Sequence, residues 1–166
     1  MTTARLGFRC WRADDLPLAL GLWGDREVSR FLGGPFSPAQ VLQRLLNEME
    51  LMAAHKVQYW PVFLLEPEDH VGCAGLRPYK PEEKIYEVGV HLRPPFWHKG
   101  LAPEVAAAVR DYAFNTVGAE GLFAGHHPEN LASKRMLEKA GFQFIGEHFY
   151  EPLGWIEPAY MLMKPR

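Results

Sequence analysis

The chain has 166 residues, of which 48% are hydrophobic and 23% charged, and its formal net charge is -2. That length fits one domain, expected over 1–166, able to bury a core without disulfides or a structural metal. The small negative charge supplies no field for nucleic acid, and no run of 18 apolar residues offers a membrane span.

Two cysteines, Cys10 and Cys73, stand in strand-like contexts and do not form a secreted disulfide scaffold. MTTARLGFRC has no apolar signal core, so a soluble cytoplasmic protein is expected. No repeat and no low-complexity segment interrupts the chain.

Residues 4–11 alternate as a strand does. Residues 13–24 read as a helix with Asp14 as N-cap and Gly24 at its end. Residues 37–55 form a clear helix. Ser37 and Gln40 make a capping box, Pro38 takes the first helical position, and Leu42, Leu45, Met49 and Met52 form an apolar stripe. Strands follow at 57–66, 70–79 and 84–93, joined by short turns that imply hairpins. A helix is expected at 103–118, a strand at 121–127, a helix at 130–141 closed by Gly141, and two last strands at 142–150 and 156–164. The strand–helix–strand order in the middle implies one right-handed crossover with parallel pairing. The expected fold is α/β (α+β): a mixed, mostly antiparallel sheet of about seven strands flanked by four helices.

The stretch FWHKGLAPE (96–104) drops its side chains and then starts a helix. Unpaired N–H groups at such a start, reached through Gly and Ala, make a cradle for an anion such as a phosphate. Gly100 could equally serve only a tight turn. Neither GxxxxGK[ST] nor GxGxxG occurs, so this is neither a P-loop nor a Rossmann fingerprint. The neighbours His126 and His127 point to opposite faces of a strand, and no zinc spacing accompanies them, so no metal is expected.

W-H-K-G-L-A-P-E resembles the acetyl-CoA pyrophosphate loop of the GCN5-related N-acetyltransferase (GNAT) superfamily, and within it the ribosomal-protein-alanine N-acetyltransferase branch. TARLGFRCWRADD (3–15), VGCAGLRPY with YEVGVHLRP, and PENLASKRMLEKAGF (128–142) agree with it in the same order. The resemblance implies a GNAT-like domain that moves the acetyl group of acetyl-CoA directly to a primary amine, without a metal. The acceptor would be a small-molecule amine or a protein N-terminus, and relatives are monomers or homodimers. An acyltransferase-like domain that binds coenzyme A without turnover is the alternative.

The resemblance also assigns residues. The backbone of Val90, His91 and Leu92 would pair with the pantetheine arm. The N–H groups of Trp97, His98, Lys99, Gly100, Leu101 and Ala102 would cradle the diphosphate. Trp97 stands where many relatives carry Gln or Arg, and His98 where they carry Gly. Asn130 would cap its helix and present its amide to pantetheine. Lys134 and Arg135 either meet the 3′-phosphate or form a solvated helix face. Glu87 is either the base that deprotonates the amine or a strand carboxylate paired with a charge such as Lys84. The Tyr that much of the superfamily uses as acid is Leu137 here. Ser133 either donates the proton to the leaving sulfur or only serves its helix end. The Gly-Pro loop 29–37 is expected to be mobile and to face the acceptor.

Overall fold

The computed structural model describes residues 1–165. Seven strands form one sheet: β1 Leu6–Phe8, β2 Tyr59–Leu64, β3 His70–Lys80, β4 Ile85–Leu92, β5 Gly121–Gly125, β6 Gln143–Tyr150 and β7 Trp155–Met163. Their order is β1-β2-β3-β4-β5-β7-β6. Every neighbouring pair is antiparallel except β4 and β5. The mixed, mostly antiparallel sheet with a single parallel crossover is therefore the one its sequence predicts.

The helices are α1 Leu16–Trp23, α2 Arg26–Ser29, α3 Pro38–His55, α4 Leu101–Tyr112 and α5 Leu131–Lys139. The one-turn α2 makes five where four were expected. Asp25 starts it by accepting from the amides of Glu27 and Val28. Ser37 and Gln40 make the predicted capping box on α3. Asp14 does not cap α1. Asp15 takes the structural part instead, accepting two bonds from the Arg9 guanidinium (2.6 and 2.7 Å) and one from the Arg12 amide. Helix α4 begins two residues before Pro103, passes into a π turn at Ala113–Val117, and stops at Gly118 with φ 75°.

The two faces of the sheet carry different layers. One holds the main core, in which Val105 and Val109 of α4 pack with Trp60, Leu76 and Leu122. The other holds α1 and α3, with Trp11, Trp23, Val41, Leu45, Tyr59 and Cys73 buried together. The buried stripe of α3 is Val41, Leu45 and Glu48, at i, i+4 and i+7. Leu42 is on the solvent side of it.

Glu48 is a fully buried acid in an apolar stripe, and its partners explain it. One carboxylate oxygen accepts from the Tyr59 amide at 2.7 Å and the other pairs with the Arg77 guanidinium. We expect Glu48→Ala to cost about 3–5 kcal/mol, the range for removing one partner of a buried ion pair. Urea denaturation measures it, and a loss under 1 kcal/mol contradicts the structural role.

Candidate active site

The hydrogen-bonded pairing of β4 with β5 covers only Ile85, Tyr86 and Glu87, opposite Gly121, Leu122 and Phe123. Beyond Glu87 the strands part. β4 stays paired to β3 as far as Leu92, and β5 stays paired to β7 as far as Gly125. The gap opens into a groove of about 750 Å³. Its walls include Val88–Leu92 of β4, the loop ahead of α4, the first turns of α5, and the segment after α2.

At one end lie the residues expected to hold an anion. Trp97, His98, Gly100, Leu101 and Ala102 line the groove. His98 has φ 59° and Gly100 has φ 70°, both left-handed, so the chain winds tightly just before α4. The position of His98 explains why a Gly is common there in the proteins it resembles: the conformation costs a residue with a Cβ about 1–2 kcal/mol. At Gly100 a Cβ would meet nothing closer than Arg5 Nη2 at 3.8 Å, so the backbone angle, not crowding, favours glycine.

Arg5, which the sequence analysis did not single out, holds this loop from outside. Its guanidinium donates to the carbonyls of Lys99 (3.0 Å) and Gly100 (3.2 Å) and pairs with Glu104 of α4 at 2.6 Å. Lys99 thus contributes a carbonyl to Arg5 and does not line the groove. The Trp97 indole donates to the Leu92 carbonyl at 2.7 Å, which ties the loop to the end of β4. An Arg directly before a short strand carries no motif, and only the contact over 94 positions reveals it.

Asn130, Ser133 and Arg135 also line the groove. Asn130 Oδ1 accepts from the Ser133 amide at 3.1 Å, so Asn130 is the predicted helix cap. The Ser133 hydroxyl makes no hydrogen bond to a described residue. Leu137 is buried beneath it. Lys134 points away toward Glu138, 4.0 Å distant. The His91 ring is held from behind β4, where Nδ1 accepts from the Trp23 indole at 3.2 Å. Burial, then the charges of Arg44 and Arg77, lower its pKa to about 3 and keep the ring neutral.

At the other end are acids, aromatics and arginines. Glu87 sits at the last paired position of β4, opposite Arg77 of β3, and has no ion pair with Lys84. Burial raises its pKa, the nearby charge of Glu157 adds to this, and Arg77 and His148 oppose it. Glu157 of β7 is a second acid that the sequence did not disclose. It presses against Gly125, where a Cβ would collide with it, and accepts from the Trp155 indole at 3.3 Å. Burial raises its pKa too. The Tyr59 ring lies across Gly89, where again a Cβ would collide, and the Arg77 guanidinium covers the ring at 4.2 Å.

Phe31, Leu32 and Phe36, from the loop expected to face the acceptor, do line the groove. Phe31 stacks on His127 with ring centres 4.9 Å apart. His126 is buried on Tyr160, while His127 lies at the rim between Phe31 and Trp155, so the adjacent imidazoles diverge. Among the described residues no three His, Cys, Asp or Glu side chains gather as metal ligands.

A family model described as Acetyltransferase (GNAT) domain matches residues 5–143. An uncharacterized N-acetyltransferase, p20, of Bacillus licheniformis is 26% identical over 148 residues, 87% of this chain and 82% of its own. The structure of a GNAT-family acetyltransferase from Bacillus anthracis superposes with a TM-score of 0.85 at 26% identity, covering 98% of this chain and 97% of that one. A spermidine N-acetyltransferase from Vibrio cholerae, solved with CoA and spermine, superposes at 0.81 with 17% identity, covering 97% and 96%, which is likeness of fold.

The Arg5 clamp is testable by itself. Arg5→Ala should speed amide exchange at residues 98–102 on the order of 10-fold while leaving α4 protected, because a local opening is stabilised by few contacts. Unchanged exchange in that loop contradicts the clamp.

Proposed function

The chain belongs to the GNAT acetyltransferase family, and from that premise we propose that it moves the acetyl group of acetyl-CoA to the nitrogen of a primary amine. The observation that carries this is the parting of β4 from β5. It leaves a strand edge beside a tightly wound helix start, and a pantetheine arm and a diphosphate need those two surfaces in that order. The residues present fit acetyl-CoA, which supplies the acetyl group and a thiol leaving group.

The backbone of Val90, His91 and Leu92 pairs with the pantetheine amides, and the amides of Trp97, His98 and Gly100–Ala102 face the diphosphate. Asn130 and Arg135 close the far side of the groove. Glu87 takes a proton from the acceptor ammonium, and its raised pKa makes it a stronger base than a solvated carboxylate. Glu157, across the gap, shares the ammonium's charge. The amine nitrogen bonds to the acetyl carbon as the carbon–sulfur bond breaks. Two protons leave the nitrogen: one passes through Glu87 to solvent, and the second, released once the carbon–nitrogen bond has formed, replaces the one that Ser133 gives to the departing sulfur. The free Ser133 hydroxyl at the groove wall supports that role over a purely helical one.

The whole chain acts as one acetyltransferase domain. Cys10 is a free thiol exposed to solvent, and a reducing cytoplasm suits it. Among the described residues no helix is long and apolar enough to cross a membrane.

Thiol release from acetyl-CoA in the presence of amines tests the activity, and calorimetry with coenzyme A tests the binding half. Binding without release by any amine favours the alternative, a coenzyme A-binding domain without turnover. Glu87→Gln should lower kcat on the order of 100-fold. The same change should raise the melting temperature at pH 7, because a raised carboxyl pKa means that the folded state disfavours the ionised form. That gain should shrink as pH falls through the raised pKa of Glu87, where the wild-type carboxyl becomes neutral as well. A Glu87→Gln enzyme with lower stability and full activity contradicts both assignments. For Ser133→Ala we expect a smaller loss of kcat, on the order of 10-fold, with unchanged coenzyme A affinity, since a thiol of pKa about 8.5 leaves without much help. A parallel loss of affinity makes Ser133 a positioning group instead.

A further inference from the structure

The acceptor half of the groove contains a cation without a counter-ion. Arg44 projects from α3 into the groove wall. Its guanidinium lies 4.5 Å from the centre of the Phe36 ring and 5.4 Å from that of Trp23. Its Nε is buried with no hydrogen-bond partner, and no carboxylate of the described residues comes within ion-pair distance. Glu48 cannot answer for it, because its two oxygens are engaged by Arg77 and by the Tyr59 amide. Burial first, and then the like charge of Arg77, lower the pKa of Arg44, so the surroundings do not compensate the charge. An arginine stays protonated regardless, and its planar fork suits a carboxylate.

Two further features go with it. Arg30 stands exposed at the rim, its guanidinium 5.0 Å over Phe31, also without an ion pair. Glu27 borders the groove as well and pairs with neither arginine. Phe31, Leu32, Phe36 and Leu153 make the same wall apolar. The acceptor half of the groove thus holds the carboxylates Glu87 and Glu157, the guanidinium groups of Arg44 and Arg30 that no carboxylate answers, and an apolar wall.

Resting on the acetyltransferase reading above, we infer that the acceptor is a small amine that also carries a carboxylate, an apolar α-amino acid or a close analogue, with Arg44 receiving the acid and Glu87 and Glu157 receiving the ammonium. A polyamine would bring a second positive charge toward Arg44, so the site disfavours it. Arg44 is a specificity-determining residue here, not a catalytic one.

The test uses the full chain and paired amines: L-methionine, L-leucine and L-phenylalanine, each against its amide, with spermidine alongside. Thiol release gives kcat/KM. The N-acetyl forms of each pair are compared by the rise in melting temperature of the enzyme saturated with coenzyme A, which needs no turnover. The acids should exceed their amides on the order of 10- to 100-fold in kcat/KM, the scale of a charge-assisted contact. Arg44→Gln should bring each pair to near equality while coenzyme A affinity, read by calorimetry, is unchanged. Should Arg44→Gln fail to fold, the wild-type pairs and Arg44→Lys still decide. Amides or spermidine accepted as well as the acids overturn the inference and leave the acetyltransferase standing. So does a coenzyme A complex on which no N-acetyl acid binds better than its amide. Absence of coenzyme A binding sinks the activity itself, and the melting comparison is then run without it on the same criterion.

Discussion

The groove exists because two neighbouring strands are each committed elsewhere. β4 is paired along its whole length to β3, and β5 along its whole length to β7. They can share only three register positions before the directions of those larger commitments pull them apart. The strand edge left on β4 has hydrogen-bonding groups that water must satisfy, or that an extended ligand can. Everything else in the site is placed relative to that parting. Glu87 is the last residue before it, the loop ahead of α4 follows the end of β4, and α5 starts just beyond the end of β5.

The end of the groove assigned to the acceptor depends on one buried carboxylate. Glu48 fixes Arg77 and the Tyr59 backbone together. The Tyr59 ring can then cross the sheet only because position 89 lacks a side chain: a Cβ on Gly89 would strike that ring. Arg77, held there, stands opposite Glu87 and tempers the rise that burial imposes on its pKa. The base strength of Glu87 is therefore a balance of dehydration against a cation whose own position is set from α3. An Arg77 left without Glu48 would be free to pair with Glu87 directly and weaken it as a base.

Local signals in the sequence carried most of the fold. Capping residues, strand alternation and short turns located the long α3 helix, the hairpins and the parallel crossover. Local physics also marked the loop 96–104, since glycine and small residues ahead of a helix have a backbone meaning. What stayed illegible was made by contacts between distant residues. Arg5 reads as an ordinary surface cation until Lys99 and Gly100 come beside it. Glu48 reads as the polar side of α3, and Leu42 as its apolar side, until the Arg77 and Tyr59 partners rotate the stripe. Glu157 lies in a late strand with no motif, and only the pairing of β7 beside β5 brings it to the gap. Lys99 and Lys134 sit inside motifs, yet their side chains are directed elsewhere, because a motif records backbone geometry better than it records which side chains turn inward.

The two halves of the groove are accordingly built of different material. The half assigned to the cofactor is mostly backbone: an unpaired strand edge, two left-handed residues and a helix start. Backbone tolerates substitution, so His98 can stand in a glycine's place and Trp97 in that of a polar residue with little change in what is presented. The fold itself is kept at an identity of about a quarter, as the superposition at a TM-score of 0.85 and 26% identity shows. The other half is side chains: Glu87, Glu157, Arg44 and the aromatic wall. Its charge pattern turns over with single substitutions. Family membership thus speaks to the backbone half, while the inferred choice of amine rests on the acids and guanidinium groups that this chain places around Phe36 and Tyr59.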